Sequence, residues 1–259
     1  MSSLLCVGDS HSRLIGLKPP GAIFRYGRVC PTIVEGFDPS HIFSLRGATA
    51  AGFRPKADPE CSYSRVSRCI ERLNPDMICF GFGQVDAELS VYYQALRDGS
   101  RIEDAIRTRK RAIRRYLRHC QEIAGDRRIL IKGLNTIALR NTGSLRTMIR
   151  NNLAPALGIA ERDLADWLDQ SGVTLALHGR INGEIAKALR QAAERMGLAY
   201  FDLRAATGIR RRSGLSRREF CGRSRDVHLR NLSKIENAVL LRSVGCGQGG
   251  CLQSEGRPG

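Results

Sequence analysis

Short apolar runs alternate with amphipathic stretches along most of the chain. Residues 4–7, 77–82, 128–133 and 198–203 are mostly apolar, and each run is followed by polar or turn residues. Continuous apolar runs of this length are the pattern of strands buried on both faces. Between them the period changes. Residues 64–73 place Val66, Cys69, Ile70 and Leu73 at helical spacing. Residues 101–124 place Ile102, Ala105, Ile106, Ile113, Leu117 and Ile123 near one face, with arginines among them. Residues 181–196 carry Ile181, Ile185, Ala188, Leu189 and Ala192 on one stripe, and Gly197 ends it. A helix is also expected near 160–170, with the sole tryptophan, Trp167, as a core anchor, and another over 231–243. Residues 22–26 and 41–45 read as further strands and 11–17 as a short helix. Residues 140–177 read as an insertion or lid, 204–225 as a mobile arginine- and serine-rich loop, and 244–259 as a disordered tail. Buried strands alternating with helices predict an α/β domain over residues 1–243, with a parallel sheet between layers of helices.

The length of 259 residues suits one such domain. No run approaches the roughly 18 apolar residues of a membrane span. The N-terminus lacks a basic segment followed by a long apolar stretch, so a cytoplasmic protein is expected. Nine scattered cysteines agree with a reducing compartment; Cys246 and Cys251 lack a second pair at metal-site spacing. The formal charge of +17 invites a nucleic-acid partner. Only six of the 42 basic residues are lysine, however, and the arginines are spread along the whole chain. With few aromatics to stack bases and no binding motif, nucleic acid is not the expected partner, and an acidic substrate or an anionic surface explains the charge as well.

Candidate chemistry sits at the ends of the apolar runs. The first delivers Gly8, Asp9, Ser10 and His11 in succession; the second ends in Gly83, Gln84, Val85 and Asp86; Asn135 follows the third. Small residues over 46–53 let a loop backbone approach a ligand, with Gly47 at its start. Asp226 and His228 precede the last helix. Open α/β sheets bind ligands at the carboxyl ends of their strands. A serine becomes a nucleophile beside a base, the base needs an orienting group, and the tetrahedral oxyanion needs fixed N–H donors. Ser10, His228 and Asp226 are the residue types for the first three roles. The Ser10 and Gly47 backbones, with the Gln84 amide, are candidates for the last. This chemistry calls for no metal or organic cofactor.

These elements, in this order, resemble the SGNH hydrolases, also called GDSL esterases/lipases. Gly8-Asp9-Ser10 matches the family's first block, with Ser10 at the nucleophile position. Gly47 matches the second, Gly83-Gln84-Val85-Asp86 stands where the family has Gly-x-Asn-Asp, and His228 stands at the base position of Asp-x-x-His. The stretch Gly47-Ala48-Thr49-Ala50-x-Gly52 is similar to a bacterial subgroup found near polysaccharide genes. The resemblance implies a flavodoxin-like three-layer α/β/α fold. It also implies a serine esterase acting on an O-acyl or acetyl ester of a carbohydrate or small molecule. Two positions depart from the family. Val85 replaces the oxyanion asparagine, and Arg225 stands three residues before His228, with the acid one place later at Asp226. A weak or inactive domain that binds a glycan or anionic ligand is the alternative.

Overall fold

The computed structural model describes residues 1–14, 17–208, 215–221, 239, 240 and 243. Its strands are β1 (Ser2–Gly8), β2 (Val29–Val34), β3 (Phe37–Ser44), β4 (Met77–Gly81), β5 (Arg128–Lys132) and β6 (Ala199–Phe201). They form one sheet in the order β2-β3-β1-β4-β5-β6. All neighbours are parallel except β2 and β3, an antiparallel edge hairpin. Helices α1 (Ser62–Leu73), α2 (Val91–Arg97), α3 (Ile102–Ala124), α4 (Thr142–Leu157), α5 (Glu161–Gln170), α6 (Leu175–Arg195) and α7 (Arg204–Thr207) lie between or after the strands. The fold is the expected α/β class.

Alternation along the strands splits the core into two layers. Leu5, Val7, Ile78, Phe80 and Ile131 face the large cluster that α1 to α6 complete. Leu4, Cys6, Met77, Cys79 and Leu130 face the other way, where Phe24, Val239 and Leu240 cover them. Helix termini follow local chemistry. Cys61 caps α1, its sulfur accepting the Ser64 N–H, and Asn74 ends that helix in the left-handed region at φ 41°. Thr174 caps α6 by accepting the Leu177 N–H, so this helix starts six residues before the periodic stripe that predicts it.

The structure corrects several expectations. Residues 22–26 form no strand; the edge of the sheet is β2, which turns back through Gly36 at φ 81°. The 22–26 piece lies between turns at Gly21 and Gly27, and the β2 residue Ile33 bridges Leu17 instead. Residues 204–225 are expected as a loop, yet 204–207 are helical and Ser216 and Phe220 are buried; 209–214 and 222–225 lie outside the described residues. The Thr136 hydroxyl contacts those of Thr207 (2.7 Å) and Ser216 (2.6 Å), and Phe220 is buried against Ala138 and Leu203. Residues 140–177 hold α4 and α5, whose Leu145, Ile149, Leu153, Leu164 and Leu168 join the main core. Residues 239, 240 and 243 are helical, in keeping with the expected last helix; the tail over 244–259 lies outside the described residues.

Candidate active site

Strand register brings Ser10, Gly47 and Gln84 to one edge. Gly8 at the end of β1 is level with Ser44 on β3 and with Gly81 on β4. Ser10 therefore stands two residues beyond the common level, Gly47 three beyond it and Gln84 three beyond it. Ser10 opens a 3-10 helix, Ser10–Leu14, and is half-buried. The chain enters this turn through a close approach that only glycine permits. A Cβ on Gly8 would lie 1.9 Å from the Ser12 Oγ and 2.5 Å from the Gly81 carbonyl oxygen. Ser12 in turn donates its hydroxyl to that carbonyl (2.9 Å).

The residues flanking Ser10 are both buried. Asp9 has no exposed surface; its Oδ1 accepts the His11 N–H (3.0 Å) and its Oδ2 accepts the Gln84 N–H (3.1 Å). The His11 Nε2 lies 3.2 Å from the Glu88 Oε2. The other Glu88 oxygen accepts from the Gln84 Nε2 (2.8 Å), and the Gln84 Oε1 accepts the Asn135 N–H (2.8 Å). Lys132 donates to the Asn135 Oδ1 (2.9 Å), and Asn182 of α6 donates to the Asn135 carbonyl (3.2 Å). Asp9, His11, Glu88 and Lys132 thus form a buried set of two acidic and two basic side chains beneath the serine turn. Burial alone pulls the His11 imidazole toward neutrality, but the Glu88 carboxylate and Asp9 outweigh it and raise its pKa. Burial likewise works against the Glu88 anion, and its ion pair and hydrogen bond with His11 outweigh that and lower it. Burial raises Asp9 despite its bonds to His11.

The glycine loop is held from the same segment. Asp86 accepts the N–H groups of Ala50 (2.6 Å) and Ala51 (3.3 Å). Behind it stands Arg109 of α3, 3.5 Å away. One of the arginines interleaved with the apolar face of this helix thus reaches a buried carboxylate. Burial pushes Asp86 up to about 6, even with Arg109 and the two N–H groups acting in the other direction. At the far end of the loop Phe53 is buried and stacks on Phe82, ring centroids 4.9 Å apart. The Leu45 N–H donates to the Gly8 carbonyl (2.8 Å), tying the loop to β1. Gly47 is exposed, with φ 70° and nothing within 4 Å of an added Cβ, so its backbone conformation and not space calls for glycine.

One short segment, Gln84 to Glu88, therefore fastens both the serine turn and the glycine loop. It runs into a π-helical turn, Asp86–Ser90, in which Asp86, Ala87, Glu88 and Ser90 are all buried. Such wide turns recur at functional sites. Val85 is half-buried and apolar. The sequence reading missed Glu88, Lys132 and Arg109. One signal was present: Glu88 lies four residues after Gln84, the spacing of neighbours on a helix face. His228 and Asp226 lie outside the described residues. Among the described residues no group of three or more His, Cys, Asp or Glu could hold a metal ion, and no helix is long and apolar enough to cross a membrane.

No family model matches the sequence, and no curated protein matches it. Solved structures similar to the chain include a lipase/acylhydrolase from Enterococcus faecalis, at 13% identity over 95% of this chain and 97% of that one, TM-score 0.47. A carbohydrate acetylesterase from Sinorhizobium meliloti is 14% identical over 95% of this chain and 99% of its own, TM-score 0.46. A catalytic mutant of an acetylxylan esterase from Geobacillus stearothermophilus is 13% identical over 94% and 92%, TM-score 0.40.

Proposed function

We propose that this chain is a serine-dependent ester hydrolase of the SGNH type, with Ser10 as nucleophile and His228 as its base. The observation that carries this reading is the shared clamp. Gln84 and Glu88 fix the residues on both sides of Ser10, and Asp86, between them, fixes the loop that begins at Gly47. A catalytic serine needs that coupling, because its oxyanion donors must be held in place relative to it.

In this reading the Ser10 Oγ adds to the ester carbonyl while His228 takes the serine proton. The Ser10 and Gly47 N–H groups face the developing oxyanion. Collapse expels the alcohol, which receives the proton from His228, and water then releases the acyl group by the same steps in reverse order. Asp226 orients the imidazole. The Gln84 amide carries two hydrogens, of which Glu88 takes one, and the second serves as a third oxyanion donor. The resemblance to a polysaccharide-associated subgroup points to O-acetyl groups on a carbohydrate as substrate.

A second reading has its own support. Val85 offers no donor where the family has asparagine, and the Gln84 side chain is engaged by Glu88 and Asn135. Loss of one oxyanion donor costs about 100- to 1,000-fold in comparable hydrolases. A domain so weakened would serve to bind a glycan. Turnover of p-nitrophenyl acetate by wild type, Ser10→Ala and His228→Ala separates the two. Wild-type turnover that drops to background in both variants is the expected result. Equal rates in all three proteins would leave the binding reading, to be pursued by glycan-induced thermal stabilisation.

A further inference from the structure

We propose that Glu88 is a positioning residue for the Ser10 nucleophile, acting through the ring of His11. The inference rests on the serine-hydrolase reading above.

Ser10 has one anchored neighbour on each side. Asp9 is fixed by its carboxylate, which accepts the His11 and Gln84 backbone N–H groups. His11 is buried, and its ring meets Glu88 across 77 residues of sequence. Glu88 joins the His11 side of the serine turn to the β5 tip through side chains, because its second oxygen accepts from the Gln84 side chain, which itself accepts the Asn135 N–H. A movement of Glu88 therefore shifts Ser10 relative to the rest of the strand edge. The choice of residues also indicates more than packing. A buried ion pair is a poor source of stability, and apolar side chains of similar volume often do as well or better. What the pair adds is a directional bond at a fixed point.

Substitution has a defined consequence. A carboxylate offers two acceptor oxygens, and an amide offers one acceptor and one donor group. Glu88→Gln must therefore either lose one of its two bonds or reverse the one to His11, the amide donating to a neutral imidazole in place of the ion pair. The charges around the pair set its pH behaviour. His11 faces Glu88, Asp9 and Lys132, and Glu88 faces His11, Asp9 and His178 of α6. Burial lowers His178 to about 4, so it is neutral in the working range. Removing the Glu88 charge removes the main attraction that raises the His11 pKa.

The test is the rate at which a fluorophosphonate labels Ser10, measured against pH. In that step the Ser10 Oγ forms a bond to phosphorus, fluoride leaves, and the serine proton passes to the base. Wild type, Glu88→Gln, His11→Gln and the double variant are compared, each rate referred to the fraction folded in a parallel urea titration. Both single variants should label about 10- to 100-fold more slowly, as small misplacements of reacting groups do. The double variant should be no slower than the slower single variant, since the two residues act as one unit. The alkaline fall in labelling should move to lower pH in Glu88→Gln. Folded variants that label at the wild-type rate, or with additive losses and an unchanged pH profile, overturn the proposal while the serine reading stands. Should Glu88→Gln not fold, His11→Gln decides by the same criterion. A wild type that Ser10→Ala matches in labelling overturns both.

Discussion

Asp86 illustrates how a single side chain links site geometry to pH. It is buried at the joint between β4 and the glycine loop, and burial sets its pKa to about 6. The sign of the resulting effect follows from proton linkage. An unfolded aspartate titrates near 3.8, so between that value and about 6 the folded state holds the proton more tightly. Stability from this group is present below the unfolded value and is lost as pH rises toward 6. At 1.36 kcal/mol per unit the loss is about 2–3 kcal/mol. Asp86→Asn cannot titrate. Urea titrations of both proteins at pH 4 and pH 7 should therefore show the variant gaining on wild type by about 1–3 kcal/mol as pH rises. A constant difference between them would mean that Asp86 does not titrate in this range. The variant should also lose esterase rate, since an amide offers the Ala50 and Ala51 N–H groups a single acceptor oxygen.

At the scale of elements, the loop from Arg46 to Phe53 depends on two contrasted glycine positions. Gly47 at φ 70° needs only its conformation, whereas Gly8 needs space for the Ser12 hydroxyl and the β4 backbone. Gly47→Ala should lower stability by about 1–2 kcal/mol, the cost of a left-handed non-glycine residue. Gly8→Ala should cost more, because the Gly81 carbonyl at 2.5 Å cannot move without breaking the β1–β4 ladder. Thermal melts of the two variants compare these directly, and a smaller loss for Gly8→Ala would refute the close-packing argument. The strand tips were legible in sequence because a buried parallel strand is a continuous apolar run and glycine marks its end. The clamp was not. Asp86 and Glu88 fall in a π-helical turn that Gln84 precedes, and such a turn follows neither the twofold nor the 3.6-residue period. Charged residues are normally read as exposed, and what buries Glu88 is a partner 77 residues away. Similarly, the basic face of α3 concealed Arg109, whose role appears only when Asp86 is placed against it.

At the scale of the whole molecule, the two faces of the sheet are covered by different parts of the chain. Among the described residues, six helices complete the core on one face, while Phe24, Val239 and Leu240 cover Leu4, Cys6, Cys79 and Leu130 on the other. The continuous apolar runs of β1 and β4 signalled two buried faces but not what covers the second, because Val239 and Leu240 lie about 160 residues beyond β4. Leu240 is fully buried there. It also lies twelve residues after His228, the base in the proposed mechanism. The terminal segment thus closes the second core layer, and in the proposed mechanism it also carries half of the catalytic pair. Leu240→Ala should remove about 2–5 kcal/mol, the range for a buried leucine whose cavity does not collapse. The measurement is the urea midpoint at constant m-value, since a changed slope would report a different unfolded or native compactness. A loss below about 0.5 kcal/mol, the level of an ordinary surface substitution, would show that Leu240 does not close this layer. With the expected loss, esterase rate measured well below the melting temperature should fall as well, because the base of the proposed mechanism lies only twelve residues before Leu240 in the sequence.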